Sequence, residues 1–258
     1  MTEIKICGIT RVEDALIAAA SGADAVGFIL HPSSPRYIAP ERAKEIIAAL
    51  PHGIVAVGVF VNRDAETVAR TAADCGLDLI QLHGDESPEY CRRFPAEKLI
   101  KAVFPRTADD LPSYDAYDVR ALLVDCREKD RFGGTGKPAD WGLAAMLAKG
   151  RSVILAGGLC IENIAESIAA VSPGAVDINS GIETTPGIKD HDRIKRIISL
   201  IRESGHPGPN TIFHMGHVGT PCGKVSPCPK GPERTTPGTC SGSPKGPERV
   251  PGRQKGPS

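Results

Sequence analysis

The chain has 258 residues with 31 basic and 31 acidic side chains, so its formal net charge is zero. This balance argues against a nucleic-acid binder that works by neutralising phosphates. The absence of any apolar run of about eighteen residues excludes a membrane span, and the first residues lack the apolar segment of a secretory signal. A cytoplasmic protein with reduced thiols is therefore expected.

Eight short apolar runs alternate with helical stretches before residue 205. They cover residues 4–7, 25–30, 54–61, 77–82, 99–104, 121–124, 152–156 and 175–178. Their continuous Val, Ile and Leu content is typical of parallel strands covered on both faces. A repeat of about 24 residues predicts an α/β protein with a single (β/α)8 TIM barrel, near the lower size limit of that fold. A doubly wound open sheet is the alternative, but the Gly-rich fingerprint expected after its first strand is missing.

Local signals place several helix starts. Thr10 and Glu13 have the spacing of a capping box before the first helix. Pro88 stands in the first turn of a helix whose N-cap would be Ser87. Isoleucines recur at helical spacing over 190–202, which predicts an amphipathic last helix.

The composition changes near residue 205. Residues 206–258 contain 11 of the 22 prolines and 10 of the 28 glycines, and they carry seven basic against two acidic side chains. The pentapeptide Lys-Gly-Pro-Glu-Arg occurs twice, at 230–234 and 245–249. Such a segment buries too little apolar area to offset its ordering entropy. The sequence therefore predicts a catalytic barrel over 1–205 and a disordered, basic, low-complexity tail over 206–258.

Polar residues and glycines cluster at the predicted strand ends, where a barrel places its active site. Cys7 ends the first strand, and Asp125 ends the sixth. A thiol near a basic neighbour can act as a general base, and a carboxyl group at a strand end can donate a proton. The alternatives are a small core cysteine and a helix-capping aspartate.

Glycines follow the seventh and eighth strands, at Gly157, Gly158 and Gly181, the last beside Ser180. In many barrels these two loops bind phosphate, because glycine lets backbone N–H groups approach an anion closely. Tight strand-to-helix turns would explain the same glycines individually. The pair of loops, at the two strands where such sites occur, favours phosphate binding.

Three more residues are candidates for substrate binding. Arg36 has a planar guanidinium suited to a carboxylate, while His83 and Asp177 lie at the ends of the fourth and eighth strands. His214, His217 and the three tail cysteines do not have the paired spacing of zinc modules, so no metal site is expected.

Together these motifs resemble the N-(5′-phosphoribosyl)anthranilate isomerase family over about residues 3–203. The matching segments are Lys5-Ile-Cys-Gly-Ile-Thr10, Ser34-Pro-Arg-Tyr37, Gln81-Leu-His-Gly84, Asp125 with Gly133-Gly-Thr-Gly136 and Asp140-Trp141, Leu155-Ala-Gly-Gly-Leu159, and Asp177-Ile-Asn-Ser-Gly-Ile-Glu183 with Pro186-Gly-Ile-Lys-Asp190. Two features depart from the family pattern: Ala139 stands where an aromatic residue is expected, and the tail has no counterpart.

The resemblance implies an isomerase of tryptophan biosynthesis that performs an Amadori rearrangement without a cofactor. It implies that Asp125 is the general acid and Cys7 the general base. Arg36 would bind the anthranilate carboxylate, the glycine loops would bind the phosphate, and His83 and Asp177 would line the site. The expected partner is a small phosphosugar, with no nucleic acid or membrane, and the chain is expected to be a monomer rather than a homodimer.

Three other functions remain open from the sequence. One is the phosphosugar isomerase of histidine biosynthesis, in which the resemblance implies that two aspartates do the acid and base work, unlike Cys7 here. A non-catalytic phosphate-binding module and an interaction protein acting through the tail are the others.

Overall fold

Eight parallel strands close into a barrel in chain order. The computed structural model describes residues 1–126, 139–206 and 211–214, which all belong to one compact unit, Met1–Gly216. The strands are β1 (Glu3–Ile6), β2 (Ala25–Ile29), β3 (Val55–Phe60), β4 (Leu79–Leu82), β5 (Leu99–Val103), β6 (Ala121–Val124), β7 (Val153–Leu155) and β8 (Ala175–Ile178). Each pairs in parallel with its neighbours, and β8 closes on β1. The predicted (β/α)8 barrel is confirmed, and all eight strands fall within the predicted apolar runs or one residue beyond them.

Helices cover the outside of the barrel. They are α1 (Val12–Ser21), α2 (Pro40–Ala48), α3 (Ala65–Cys75), α4 (Pro88–Cys91), α5 (Trp141–Ala148), α6 (Ile164–Val171) and α7 (His191–Glu203). Ser87 caps α4 as predicted, accepting a hydrogen bond from the Tyr90 backbone N–H. The isoleucine stripe of α7 is buried against the barrel.

Two local predictions are wrong. Thr10 does not cap α1, because its hydroxyl donates to the carbonyl of Gly187, and the N-cap residue is Arg11. Between β5 and β6 the chain forms a 3-10 helix, Ala108–Ala116, where an amphipathic α-helix was expected. Pro112 lies inside this segment and lacks the N–H that an α-helix interior needs.

The side chains of the strands alternate between two apolar layers. One set, including Ile4 and Ile6 of β1, packs outward against the helices. The other set fills the inside of the barrel, with Val57, Leu79, Ile100 and Leu123 among its members. This alternation turns Glu3 and Lys5 of β1 inward, and Cys7 directly after the strand continues it, because successive side chains of a strand point to opposite faces.

A short segment beyond the predicted barrel closes its N-terminal end, which corrects the prediction for part of the tail. Ile212 and Phe213 are each 1% exposed and pack with the inner layer. The carboxylate of Glu3, at the start of β1, accepts the backbone N–H groups of Ile212, Phe213 and His214. The composition of the tail does not reveal this contact, because only two apolar residues, Ile212 and Phe213, fill the N-terminal end of the barrel. Residues 207–210 and 215–258 lie outside the described residues.

No helix in the described part of the chain is long and apolar enough to cross a membrane. Cys7, Cys75, Cys91, Cys126 and Cys160 are all free thiols. Within the same residues, no three His, Cys, Asp or Glu side chains are grouped so as to hold a metal ion.

Candidate active site

A cavity of about 520 Å³ opens at the C-terminal ends of the strands. Its wall brings together residues from β1, β2, β3, β4, β6, β7 and β8 or the loops that follow them. The polar residues in the wall are Cys7, His31, Ser33, Ser34, Arg36, Gln81, His83, Asp125, Asp177, Asn179 and Ser180. Eight of the nine candidate residues from the sequence contribute to this wall, and the exception is Gly181.

Cys7 lies at the floor of the cavity, directly after β1. The thiol is buried, and its pKa is raised by burial and by the negative charge of Asp177, against a lowering by Lys5 and Lys189. Asp177 projects from β8, and its Oδ2 lies 2.9 Å from the Lys5 ammonium nitrogen. Its Oδ1 accepts no hydrogen bond from the residues that the structure describes. Cys7 therefore has both a cation and an anion as neighbours.

Asp125 and His83 form a second polar pair across the cavity. The Nε2 atom of His83 lies 3.3 Å from Asp125 Oδ2, and Asp125 Oδ1 accepts the backbone N–H of Cys126 at 2.7 Å. The side-chain nitrogen of Gln81 lies 2.9 Å from the Nδ1 atom of His83. With Gln81 donating, Nδ1 is the acceptor and Nε2 carries the proton that faces Asp125. Gln81 thus sets which tautomer of His83 meets the carboxyl group.

Arg36 is held by a carboxylate that the sequence did not single out. Its Nε and Nη2 atoms donate to Glu183 at 2.7–3.0 Å, and the Lys189 ammonium lies 2.9 Å from the same carboxylate. Glu183 begins strand β9 (Glu183–Thr185), and Lys189 ends its antiparallel partner β10 (Ile188–Lys189). Burial opposes ionisation of Glu183, but Arg36 and Lys189 outweigh it and lower the pKa of Glu183. This small hairpin fixes the guanidinium at the rim.

The glycine loops after β7 and β8 meet beside the cavity. Gly157 and Gly158 have φ angles of 82° and 61°, which favour glycine. They line the cavity together with Ser180. Gly181 lies behind this wall, and a Cβ atom there would be 2.1 Å from the carbonyl oxygen of Leu159. Its lack of a side chain lets the loop after β8 pack on the loop after β7.

The sequence missed Lys5, Glu183 and Lys189 as members of the polar network. Lys5 could have been found from the alternation of β1, because it shares the inward face with Cys7. The hairpin that carries Glu183 and Lys189 is too short to give a periodic signal. The motif Gly133-Gly-Thr-Gly136 lies outside the described residues.

The fold and the polar wall at its C-terminal end place the chain among the (β/α)8-barrel enzymes. A sequence model of the family "N-(5′phosphoribosyl)anthranilate (PRA) isomerase" matches residues 4–199. The chain belongs to this family.

Individual relatives agree. The N-(5′-phosphoribosyl)anthranilate isomerase of Syntrophus aciditrophicus is 53% identical over 202 residues, which are 78% of this chain and 88% of that protein. The one of Acidithiobacillus ferrooxidans is 50% identical over 204 residues, which are 78% and 98% of the two chains. A crystal structure of the Thermotoga maritima enzyme superposes with a TM-score of 0.72 at 42% identity, covering 79% of this chain and all of that one.

A further crystal structure of a phosphoribosyl anthranilate isomerase is a complex with reduced 1-(o-carboxyphenylamino)-1-deoxyribulose 5-phosphate. It superposes with a TM-score of 0.69 at 41% identity, and it covers 79% of this chain and all of that one. The membership confirms the phosphoribosylanthranilate isomerase that the sequence motifs predict.

Proposed function

We propose that this chain catalyses the Amadori rearrangement of N-(5′-phosphoribosyl)anthranilate in tryptophan biosynthesis. The product is the aminoketose 1-(2-carboxyphenylamino)-1-deoxyribulose 5-phosphate. The observation that carries the proposal is that Cys7 and Asp125 line one cavity in a member of this family. The reduced product analogue bound to a solved relative supports it. The reaction moves protons within one molecule and needs no redox carrier.

Asp125 is the general acid of the proposal. It protonates the furanose ring oxygen, the bond between that oxygen and C1′ breaks, and the nitrogen lone pair forms a Schiff base with C1′. His83, 3.3 Å away, stabilises the carboxylate that remains. Because the cavity shields this pair from bulk water, their interaction is stronger than at an exposed site.

Cys7 is the general base. Its thiolate removes the C2′ proton from the Schiff base, and the electron pair moves to give an enolamine. Proton transfer to C1′ and loss of the C2′ hydroxyl proton then give the ketone. Asp177 Oδ1, to which no described residue donates, would accept a hydrogen bond from a sugar hydroxyl, since Lys5 already holds Oδ2.

The two ends of the substrate bind at different parts of the rim. We place the anthranilate carboxylate at the Nη1 edge of Arg36, because the other two nitrogens donate to Glu183. Gly157, Gly158 and Ser180 form the phosphate site, with backbone N–H groups as donors, and Gly181 behind them lets the two loops meet. Anchors at both ends orient the sugar between the acid and the base, and this orientation lowers the activation free energy of the reaction.

Turnover of purified protein tests the proposal. The substrate is made in place from anthranilate and phosphoribosyl pyrophosphate by the preceding transferase, and its fluorescence decay is followed. The wild-type protein is expected to accelerate the decay, whereas Cys7→Ser and Asp125→Asn are expected to lose about 100-fold or more in kcat, as for other lost acid–base groups.

Matched controls come from the same chain. Cys75 is a buried thiol of α3 away from the cavity, and Asp118 is an exposed carboxylate before β6. Cys75→Ser and Asp118→Asn are expected to keep wild-type turnover. Full activity in Cys7→Ser or Asp125→Asn would refute the corresponding role.

We further propose that the protein is a cytoplasmic monomer. Its exposed large apolar side chains in the described part of the chain, such as Leu16 on α1 and Met146 on α5, belong to different elements. The free thiols fit a reducing compartment. Sedimentation equilibrium at micromolar concentration is expected to give the mass of one chain, and a twofold mass would contradict this.

A further inference from the structure

Lys5 lies in the middle of the barrel, one inward-facing position below Cys7. Its side chain is fully buried, and the register of β1 and β8 places it directly opposite Asp177. The 2.9 Å contact between Lys5 Nζ and Asp177 Oδ2 therefore follows from the strand pairing. The pair lies between the inner apolar layer of the barrel and the cavity, whose wall includes Asp177.

The side chains of Lys5 and Cys7 meet above Gly27 of β2. A Cβ atom built on Gly27 would lie 2.8 Å from Cys7 Sγ and 3.1 Å from Lys5 Nζ. Any larger residue at this position would drive the two groups apart. Gly27 thus leaves the room in which the ammonium group faces the thiol.

A buried ion pair is a costly way to fill a barrel interior. Apolar residues of similar volume are often as stabilising or more so, because both charges lose their hydration. Other inward positions of this barrel, such as Val57 and Ile100, are apolar. Stability alone therefore does not explain a lysine at this point.

We propose that Lys5 is a positioning residue for the reaction: held by Asp177, its ammonium group faces the Cys7 thiol and stabilises the thiolate that removes the C2′ proton. This inference rests on the proposed role of Cys7 as the base. Lys5 gives up no proton in the cycle. It acts by its charge and by a hydrogen bond to sulfur.

The groups around Cys7 shift the pKa of its thiol in both directions. Burial and Asp177 raise the pKa of Cys7, while Lys5 and Lys189 lower it. Arg36, His83 and Asp125 line the same cavity as the thiol. Burial also opposes the charge on Lys5, but Asp177 and Cys7 outweigh it and raise the pKa of Lys5. Lys5 is therefore cationic near neutral pH.

The test measures the Cys7 thiolate directly, by its ultraviolet absorbance as a function of pH. The signal of the other cysteines is removed by subtracting a Cys7→Ser protein of the same background. Lys5→Met is expected to raise the midpoint of Cys7 by about 1–3 pH units, the effect of losing a nearby opposite charge. Asp177→Asn is expected to lower the midpoint, because it removes the opposing anion.

Lys5→Met leaves Asp177 as an unpaired buried charge, which destabilises the fold. A second variant is therefore needed to separate the effect on Cys7 from loss of folding. The double variant Lys5→Met/Asp177→Asn buries neither charge, and its comparison with Asp177→Asn isolates the ammonium group. The double variant is expected to titrate at higher pH than Asp177→Asn. If the titration midpoint of Cys7 is the same in the double variant and in Asp177→Asn, the inference is overturned.

Turnover provides the second readout. The kcat of Lys5→Met near neutral pH is expected to fall about tenfold for each unit by which the thiol midpoint rises, with KM unchanged. A fall in kcat without a shifted midpoint would mean a purely structural role and would also overturn the inference. Wild-type turnover in Cys7→Ser would refute the proposed base, and the titration would still report whether Lys5 stabilises the thiolate.

Discussion

At the scale of single residues, Gly157 shows how closely the backbone surrounds the proposed acid. Its φ angle is 82°, and a Cβ atom there would lie 3.0 Å from Asp125 Oδ1 and 3.2 Å from the Ala139 backbone nitrogen. The glycine therefore serves two purposes. It permits the left-handed turn after β7, and it leaves space for the Asp125 carboxyl group.

Gly157→Ala is expected to lower kcat by about 10- to 100-fold, because it displaces the acid by a fraction of an ångström. Gly76→Ala is the control, since Gly76 has a φ angle of 74° and no atom of the described residues lies within 4 Å of a built Cβ. Both variants should lose about 1–3 kcal/mol of stability from backbone strain. Steady-state kinetics with urea unfolding separates the effects. Equal loss of activity in both variants would contradict the account.

Glu183 gives a pH-dependent prediction. Because its pKa is lowered in the folded protein, its ionised form stabilises the fold above its ordinary pKa of 4.5, and this contribution is lost as the pH falls through the lowered value. Glu183→Gln is therefore expected to be less stable than wild type at pH 7, with the difference shrinking in strongly acid solution.

Urea unfolding at neutral and acid pH measures this difference. Glu45→Gln is the matched control, because Glu45 pairs with Arg42 on the exposed face of α2. A surface ion pair contributes little, so its variant should follow wild type throughout. A stability difference for Glu183→Gln that is independent of pH would contradict the expectation.

At the scale of elements, β1 and the residue that follows it carry three inward side chains with three different contacts. Glu3 accepts backbone N–H groups of the C-terminal segment, Lys5 pairs with Asp177, and Cys7 lines the cavity. A strand of alternating side chains thus links the closed N-terminal end of the barrel to its open C-terminal end.

Phe213→Ala tests the contribution of the segment at the N-terminal end. The variant is expected to lose up to about 3 kcal/mol of unfolding free energy, near the lower bound for a buried phenylalanine. The loss is small for this residue type because the terminal segment can detach from the barrel, so that no cavity has to be maintained. Phe213→Leu should lose less. Turnover should be unchanged in both, since the cavity lies at the opposite end. A loss of kcat without unfolding would contradict this separation.

How far the sequence predicts these elements depends on the kind of signal. The eight strands are predictable because their apolar runs reflect burial on both faces, and α7 because its isoleucines lie on one stripe. The capping role of Thr10 fails because Gly187, distant in sequence, competes for its hydroxyl. In the site, Cys7, Asp125 and Asp177 are predictable because they lie at strand ends. The Arg36–Glu183 contact is not predictable, because it depends on a two-stranded hairpin with no periodic pattern.

At the scale of the whole molecule, residues that stabilise the fold lie at the N-terminal end of the barrel, and residues of the candidate active site lie at the C-terminal end, as in other proteins of this fold. Glu3, Ile212 and Phe213 close one end. The cavity with its titratable groups occupies the other. The described part of the C-terminal extension, residues 211–214, contacts the end of the barrel at which β1 begins, whereas the cavity lies at the other end.

Two truncations test the division. Deleting residues 207–258 is expected to preserve kcat and KM but to lower the stability, since it removes Ile212 and Phe213. Deleting residues 217–258 retains both and should leave stability at the wild-type value. Thermal unfolding and the fluorescence assay measure the two properties. Inactivation by either deletion would show that the extension takes part in catalysis.

The division of labour between Cys7 and Asp125 is the central claim, and a kinetic isotope effect tests it most directly. Single-turnover rates are compared for substrate carrying hydrogen or deuterium at C2′. In Cys7→Ser, proton removal becomes rate-limiting, so a full primary isotope effect is expected. In Asp125→Asn, ring opening becomes rate-limiting, so the isotope effect should vanish. The reverse pattern, or the same isotope effect in both variants, would contradict the assignment.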